Sequence, residues 1–358
     1  MLDLEIYQIV NILAVGIGLC FGMIAQKKQF CFSGSIKDYI LTKSTKRASS
    51  VIMAMLIAVI SSQSLFIYYD IDISQSIYYK EDINYFAIIF GSCLFGAGMM
   101  IADGCGNRSL IKFSQGDSNA LVTLLFIAIF AYGTSKGFLS GFLRPFTQND
   151  YLIELSSYIT NTAVNIYALI FVLLLLLVIF VRKIKRIFSL ADGFFIGLLI
   201  ACAWALTGIL GDESMERLID LQAISFIYPS AQSLELFMFY QVNELQFSVA
   251  LLLGVIIGSF LMSSMNKKYS FGCTSNVNMN KVKYNMIGGA LMGTGGILSI
   301  GCTVGQGLSG LSTLAFSSFL AIICIFISGF ITAKILNKYN KLPMCFIFEW
   351  NDTTNYQI

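Results

Sequence analysis

The sequence predicts an all-α polytopic membrane protein, and three observations carry the prediction. Of its 358 residues 56% are hydrophobic and only 12% charged, the mean hydropathy is +0.76, and long apolar runs recur along the whole chain. Soluble domains carry charge on about a quarter of their residues, and a helix crosses a bilayer with about twenty apolar ones. The runs lie near 6 to 25, 48 to 69, 84 to 102, 118 to 140, 163 to 181, 192 to 210, 245 to 264, 285 to 300 and 316 to 336, which gives about nine transmembrane helices. Ser-rich, Gly-rich or single-charge linkers are missing, so residues 1–358 read as a single transmembrane domain. A net charge of +3, dispersed among loops, gives no footing for nucleic acid.

The first run has no basic leader and no small-x-small cleavage site after it, so it reads as a span rather than a signal peptide. Lysine and arginine concentrate in cytoplasmic loops, which orients the runs. An outside N-terminus puts Lys27, Lys28, Lys37, Lys43, Lys46 and Arg47 in one cytoplasmic connection and Arg182, Lys183, Lys185 and Arg186 in another. With Arg108, Lys112 and the basic residues of the last two inner segments, 19 of the 23 cations then face the cytoplasm. The outward connections carry Asp70, Asp72, Glu81 and Asp82, and later Asp212, Glu213, Glu216 and Asp220. The expected topology is N-out, C-in.

Two segments repeat at an offset of 197 residues: GSCLFGAGMMIADGC from Gly91 to Cys105 and GGALMGTGGILSIGC from Gly288 to Cys302. The matches include Gly91 with Gly288, Gly96 with Gly293, Gly98 with Gly295, and Cys105 with Cys302. A weaker echo near an offset of 240 relates VGIG and QKKQFCFS to VIIG and NKKYSFGCTS, pairing Cys31 with Cys273. Repeat-like halves of about 1–160 and 190–340 follow, and transporters built from repeats place their substrate site between them. Under the expected topology the first pair is inverted and the second parallel.

After Cys31, Cys105, Cys273 and Cys302 come stretches too short or too polar to span, each able to form two or three helical turns. Irregular backbone at membrane depth is tolerated only where it is buried or lines a cavity, so these read as re-entrant half-helices with a cysteine at each N-terminus. Unpaired N–H groups and the positive end of the helix dipole favour an anion there. Gly104 and Gly301, each immediately before its cysteine, permit sharp turns and close backbone approach. Cys20, Cys93, Cys202 and Cys324 lie inside apolar runs and read as small hydrophobic packing residues, and Cys345 as incidental. The absence of histidine argues against a His-based acid–base, haem or zinc mechanism, and no cofactor is implied.

At these residues the sequence resembles the YeeE/YedE family of sulfur transporters. QKKQFCFSGSIKDYI is similar to the family's first cysteine loop, GAGMMIADGCGNRSLIKFSQGDSNALV to its second, and GALMGTGGILSIGCTVGQGLSGL to its third. The resemblance implies an hourglass of spans and half-helices in a bacterial inner membrane, thiosulfate uptake rather than enzymatic catalysis, functional cysteines at Cys31, Cys105 and Cys302, and Gln306 as a polar lining residue. It also implies a small cytoplasmic sulfur-carrier (TusA-like) partner. The repeat makes Cys273 a further candidate, although the family's three-cysteine pattern leaves it out. Asp103, Asn107 and Arg108 depart from the small residues expected around the second cysteine, and Ile300 stands where the family often has Gly. Arg108 therefore either alters anion preference or faces the cytoplasmic mouth.

Thiosulfate is a dianion with one soft sulfur. Half-helix N–H groups can serve its oxygens, and neutral thiols, which are weak polarizable donors, can serve its sulfur without repelling its charge. Passage needs several weak sites rather than one tight one, so a relay of hydrogen bonds along the cysteines is expected. The alternatives are another sulfur or selenium species as substrate, or a membrane thiol oxidoreductase; the lack of any CxxC pair weighs against the latter.

Overall fold

The computed structural model describes residues 6–79, 84–141, 162–181, 190–211, 219–238, 245–267, 269 and 279–342. These residues form helices throughout, with no strand among them. Chain order gives α1 (Ile6–Lys28), α2 (Phe32–Thr42), α3 (Lys46–Tyr69), α4 (Tyr85–Ile101), α5 (Gly106–Ser114) and α6 (Ser118–Ser135). The order continues with α7 (Thr162–Val181), α8 (Ala191–Ala205, extended by a π-helical turn, Leu206–Leu210), α9 (Ile227–Met238), α10 (Phe247–Met265), α11 (Met279–Leu298), a second π-helical turn (Gly305–Gly310) and α12 (Phe316–Lys338).

Seven helices among the described residues are long and apolar enough to cross a membrane: α1, α3, α4, α6, α8, α10 and α12, with α2 and α5 appended to α1 and α4. The two remaining expected spans are the helices α7 and α11, outside those seven. Helix α11 falls short in apolarity because its first turns carry Lys281, Lys283 and Asn285 and its body is glycine-rich. Large apolar side chains such as Phe171, Leu175, Phe195, Ile257, Ile327 and Ile331 are exposed on the outer helix faces, where lipid would cover them.

Glycines set how closely the helices approach. In lipid, helix association rests on close packing of small residues rather than on hydrophobic burial. A side chain at Gly98 would come within 2.8 Å of the Gly288 carbonyl, and one at Gly91 within 2.8 Å of that of Gly295. The glycines matched by the 197-residue offset thus pack crosswise, and α4 and α11 run antiparallel. Gly96 lies against Ile325 and Gly329 of α12, while its counterpart Gly293 lies against Ile127 and Ala131 of α6. Helix α4 is therefore parallel to α12, and α11 to α6, related in the same crosswise manner. Gly18, Gly22, Gly254 and Gly258 join α1 to α10 in parallel, and Gly193 and Gly197 join α8 to α3 in parallel.

Three short helices interrupt the spans. At 11, 9 and 12 residues, α2, α5 and α9 reach about 14–18 Å at 1.5 Å per residue, well short of a hydrocarbon core of about 30 Å. After α4 the chain doubles back through Ala102–Cys105, because the start of α5 at Gly106 lies against Ile127, midway along α6. Helix α5 then runs outward, turns at Gly116 (φ +96°), and Asp117 caps α6 through Asn119 N–H at 3.0 Å. This is a re-entrant half-helix.

Candidate functional site

Each of the three described cysteines expected to act stands immediately before a helical turn, and each is almost fully buried. Cys31 caps α2: its backbone is extended, its Sγ accepts the Gly34 N–H at 3.3 Å, and the Ser33 hydroxyl lies 3.1 Å from the same sulfur. Cys302 does the same for the third loop, accepting the Gly305 N–H at 3.3 Å while its carbonyl accepts the Gln306 N–H at 2.7 Å. Cys105 precedes α5 without a side-chain cap, which leaves its thiol turned to other partners.

The helix starts converge. The thiols of Cys31 and Cys105 lie side by side, and Thr303, next to Cys302, adjoins the Cys105 thiol. Phe226 places its backbone beside Cys302, and Ile227, the first residue of α9, lies over Gly106 and Gly296. Phe32 of α2 meets Gly307 of the π-helical turn. Four helix N-termini thus surround one small region. Each carries about half a positive charge and N–H groups without intrahelical partners, a setting that suits an anion.

Polar groups without hydrogen-bond partners gather here as well. Gln306 donates to the Ser299 carbonyl at 2.5 Å, but its Oε1 accepts nothing, and neither amide atom of Asn107 is partnered. Most buried polar groups are satisfied, so this cluster matches a path that a polar guest completes. Gly104 has φ +146°, and a side chain there would strike the stem of Arg108. A side chain at Gly301 would come within 3.3 Å of Gln306 Cγ. Its predecessor Ile300 has φ +59°, a left-handed conformation costly for a β-branched residue and open to glycine.

All six residues expected to line the path fall in this region. Arg108 joins them one turn into α5, its stem against Gly104. Cys273 lies outside the described residues, as does Cys345. Cys20, Cys93, Cys202 and Cys324 sit away from the site, exposed or half-buried on apolar helices. Among the described residues no three His, Cys, Asp or Glu side chains are grouped to hold a metal.

The structure adds three contributors that residue patterns do not predict. Helix α9 supplies a half-helix without a cysteine; Pro229 in its first turn is the signal that could have found it. The buried segment before it is tied in where Ser309 Oγ donates to the Ile224 carbonyl at 2.7 Å and Thr207 Oγ1 to that of Gln222 at 2.8 Å. Tyr78, from the connection between α3 and α4, donates to the Gly305 carbonyl at 3.0 Å and closes one side of the Cys302 loop.

Comparison with known proteins gives the family. A family described as sulphur transport matches residues 27–332. The chain belongs to that family. The thiosulfate transporter TsuA of Escherichia coli K12 is 23% identical over 315 residues, 81% of this chain and 84% of its own length. The thiosulfate transporter TsuA of Spirochaeta thermophila is 25% identical over 340 residues, 89% of this chain and 97% of its own. A shorter match, 28% over 104 residues, relates 29% of the chain to 24% of the probable transporter YedE of E. coli K12. Family membership makes the chain a multi-pass membrane transporter of sulfur rather than an enzyme, in agreement with the YeeE/YedE resemblance of its cysteine loops.

Proposed function

We propose that this chain takes up thiosulfate across the bacterial inner membrane through the region where its half-helices meet. The observation that carries the reading is the convergence of Cys31, Cys105 and Cys302 at helix starts, in a chain whose near full-length relatives are named thiosulfate transporters. Thiosulfate passes from Cys302 to the Cys31–Cys105 pair. At each station an S–H group meets the terminal sulfur and helix N–H groups meet the oxygens. Several weak stations let the ion leave as readily as it arrives.

The same reading orients the protein with its N-terminus outside and crosses the membrane nine times. Relative helix directions support the number of crossings. Helix α6 runs opposite to α4, and α8 runs parallel to α3; α3 ends beside the start of α12, where Gln63 donates to the Ser312 carbonyl. Hence α6 and α8 point the same way, the chain must return between them, and α7 is the helix available. Because α4 and α11 are antiparallel, the Cys105 and Cys302 loops re-enter from opposite faces, as repeat-like halves of about 1–160 and 190–340 require. Thiosulfate reaching the cytoplasm would pass to a small TusA-like sulfur carrier. The side-by-side thiols of Cys31 and Cys105 favour, as a second reading, a dithiol that can be oxidised.

Growth on thiosulfate tests the reading. A bacterial strain lacking its own sulfur-anion uptake grows on thiosulfate when it carries this gene, whereas Cys31→Ala, Cys105→Ala and Cys302→Ala variants at equal membrane expression do not support growth. Failure of the wild type would redirect the substrate to other sulfur or selenium species. Growth with Cys31→Ala and Cys105→Ala but loss with Cys302→Ala would remove the pair from the path.

A further inference from the structure

One side of the Cys302 loop presents oxygens that an anion cannot use. Gln306, one turn beyond Cys302 and fully buried, donates its backbone N–H to the Cys302 carbonyl at 2.7 Å and its side-chain amide to the Ser299 carbonyl at 2.5 Å. A carbonyl only accepts, so this bond fixes which end of the amide is nitrogen and turns Oε1 the other way. That oxygen has no hydrogen-bond partner, and neither has the Oγ of Ser318, which lies in the first turn of α12 and is also fully buried. Both atoms face Gly310: a side chain there would strike Ser318 Oγ and come within 2.9 Å of Gln306 Oε1. The glycine thus leaves the two oxygens a shared space, across which they do not bond to each other.

An amide oxygen can only accept. Turned toward a dianion it repels, so what completes it is a donor or a cation. The polar neighbours of the turn, Tyr78, Ser225 and Ser318, are uncharged. The turn itself is π-helical from Gly305 to Gly310, a geometry frequent at functional sites, and the interrupted helices of transporters coordinate sodium through backbone carbonyls. Hard cations take oxygen ligands, amide carbonyls and water among them. The transport reading supplies a reason for a cation here. A dianion entering against about 100 mV, inside negative, settles roughly three orders of magnitude below its outside concentration. Its accumulation therefore needs cations that enter with it.

We propose that Gln306 Oε1 and Ser318 Oγ bind a sodium ion beside the Cys302 loop, and that its entry accompanies that of thiosulfate. Backbone carbonyls of the turn, which have a second lone pair, and water complete its ligands. Gly310 keeps the place open, and the positive charge offsets part of the dianion's at the Cys302 station. The coupling deepens the transport reading and rests on it, whereas the cation site stands on its own oxygens.

Equilibrium binding of radiolabelled sodium to the purified full-length chain in detergent, without thiosulfate, tests the site. Thiosulfate uptake into proteoliposomes, with external sodium or N-methylglucamine at equal ionic strength, tests the coupling. The wild type binds sodium and takes up thiosulfate several-fold faster in its presence. Ser318→Ala, which removes one ligand, weakens sodium binding by about tenfold and raises the sodium concentration that uptake requires by the same factor; Ser318→Thr keeps the hydroxyl and most of the affinity. Sodium binding unchanged in Ser318→Ala at an unaltered unfolding temperature overturns the proposal. Should Ser318→Ala not fold, the wild type decides: bound sodium with sodium-dependent uptake supports the proposal, and no bound sodium overturns it and leaves water as the partner of both oxygens. Sodium binding without thiosulfate uptake would leave the cation site standing and end the transport reading; thiosulfate uptake equally fast in N-methylglucamine would leave that reading standing and overturn the coupling.

Discussion

At the scale of single residues, the proposed path gives the cysteines a second job beside helix capping, and substitution can separate the two. As the cap of α2, Cys31 accepts an N–H bond, a task that a serine hydroxyl performs at least as well and alanine cannot. Removing a cap costs about 0.5–2 kcal/mol, with a weak sulfur acceptor near the lower end. Cys31→Ser therefore keeps the thermal unfolding temperature of the wild type and Cys31→Ala lowers it slightly, while both lose uptake; full uptake by Cys31→Ser would show that a hydroxyl serves as well as a thiol and would remove the soft-sulfur argument. Ile300 allows a second test. Its left-handed backbone carries about 1–2 kcal/mol of strain, set against a half-buried side chain packed near Ile88 and Ala321 and worth a similar amount. Ile300→Gly is thus nearly neutral in a melting experiment. Ile297→Gly, one turn earlier within α11, lowers stability clearly because it gains no relief.

At the scale of elements, the glycine seams decide whether the helices can meet. A methyl group at Gly295 would press on the Gly91 carbonyl and Phe95 N, backbone atoms that cannot swing aside. Overpacking of this kind costs about 1–3 kcal/mol, so Gly295→Val lowers the melting temperature and the yield of monodisperse protein, and Gly98→Val does the same from the opposite helix. Gly16, with open space where its side chain would be, tolerates alanine. These seams are legible in the sequence because glycine repeats at fixed spacing leave a visible pattern, and the cysteine loops are legible because polar residues interrupt apolar runs. Helix α9 escapes such reading. Its apolar residues are too few for a span, and its role comes from a buried approach held by Thr207, 15 residues from its partner, and by Ser309, 85 residues from its own. Tyr78 escapes for the same reason: its partner Gly305 is 227 residues distant.

At the scale of the whole molecule, the proposed orientation rests on the distribution of lysine and arginine, since relative helix directions are the same in either sense. A C-terminal green fluorescent protein fusion is therefore fluorescent, since this fusion matures in the cytoplasm, and a C-terminal alkaline phosphatase fusion is inactive; the opposite pair of results would invert the topology and reverse the order of the cysteines along the path. Composition alone makes the membrane class legible, because a chain with 12% charged residues cannot cover itself with polar surface. The convergence of four helix starts is not legible at that scale. It depends on the crosswise packing of α4 on α11, which turns two separate re-entrant loops toward one another.

The most direct test of the account is the initial rate of radiolabelled thiosulfate uptake into proteoliposomes containing the purified protein, with wild type beside Cys31→Ala, Cys105→Ala and Cys302→Ala, and with Cys93→Ala and Cys202→Ala as controls. The account predicts uptake by the wild type and both controls and its loss in each of the other three. Uptake retained when all three site cysteines are alanine, in protein that melts like the wild type, would contradict it.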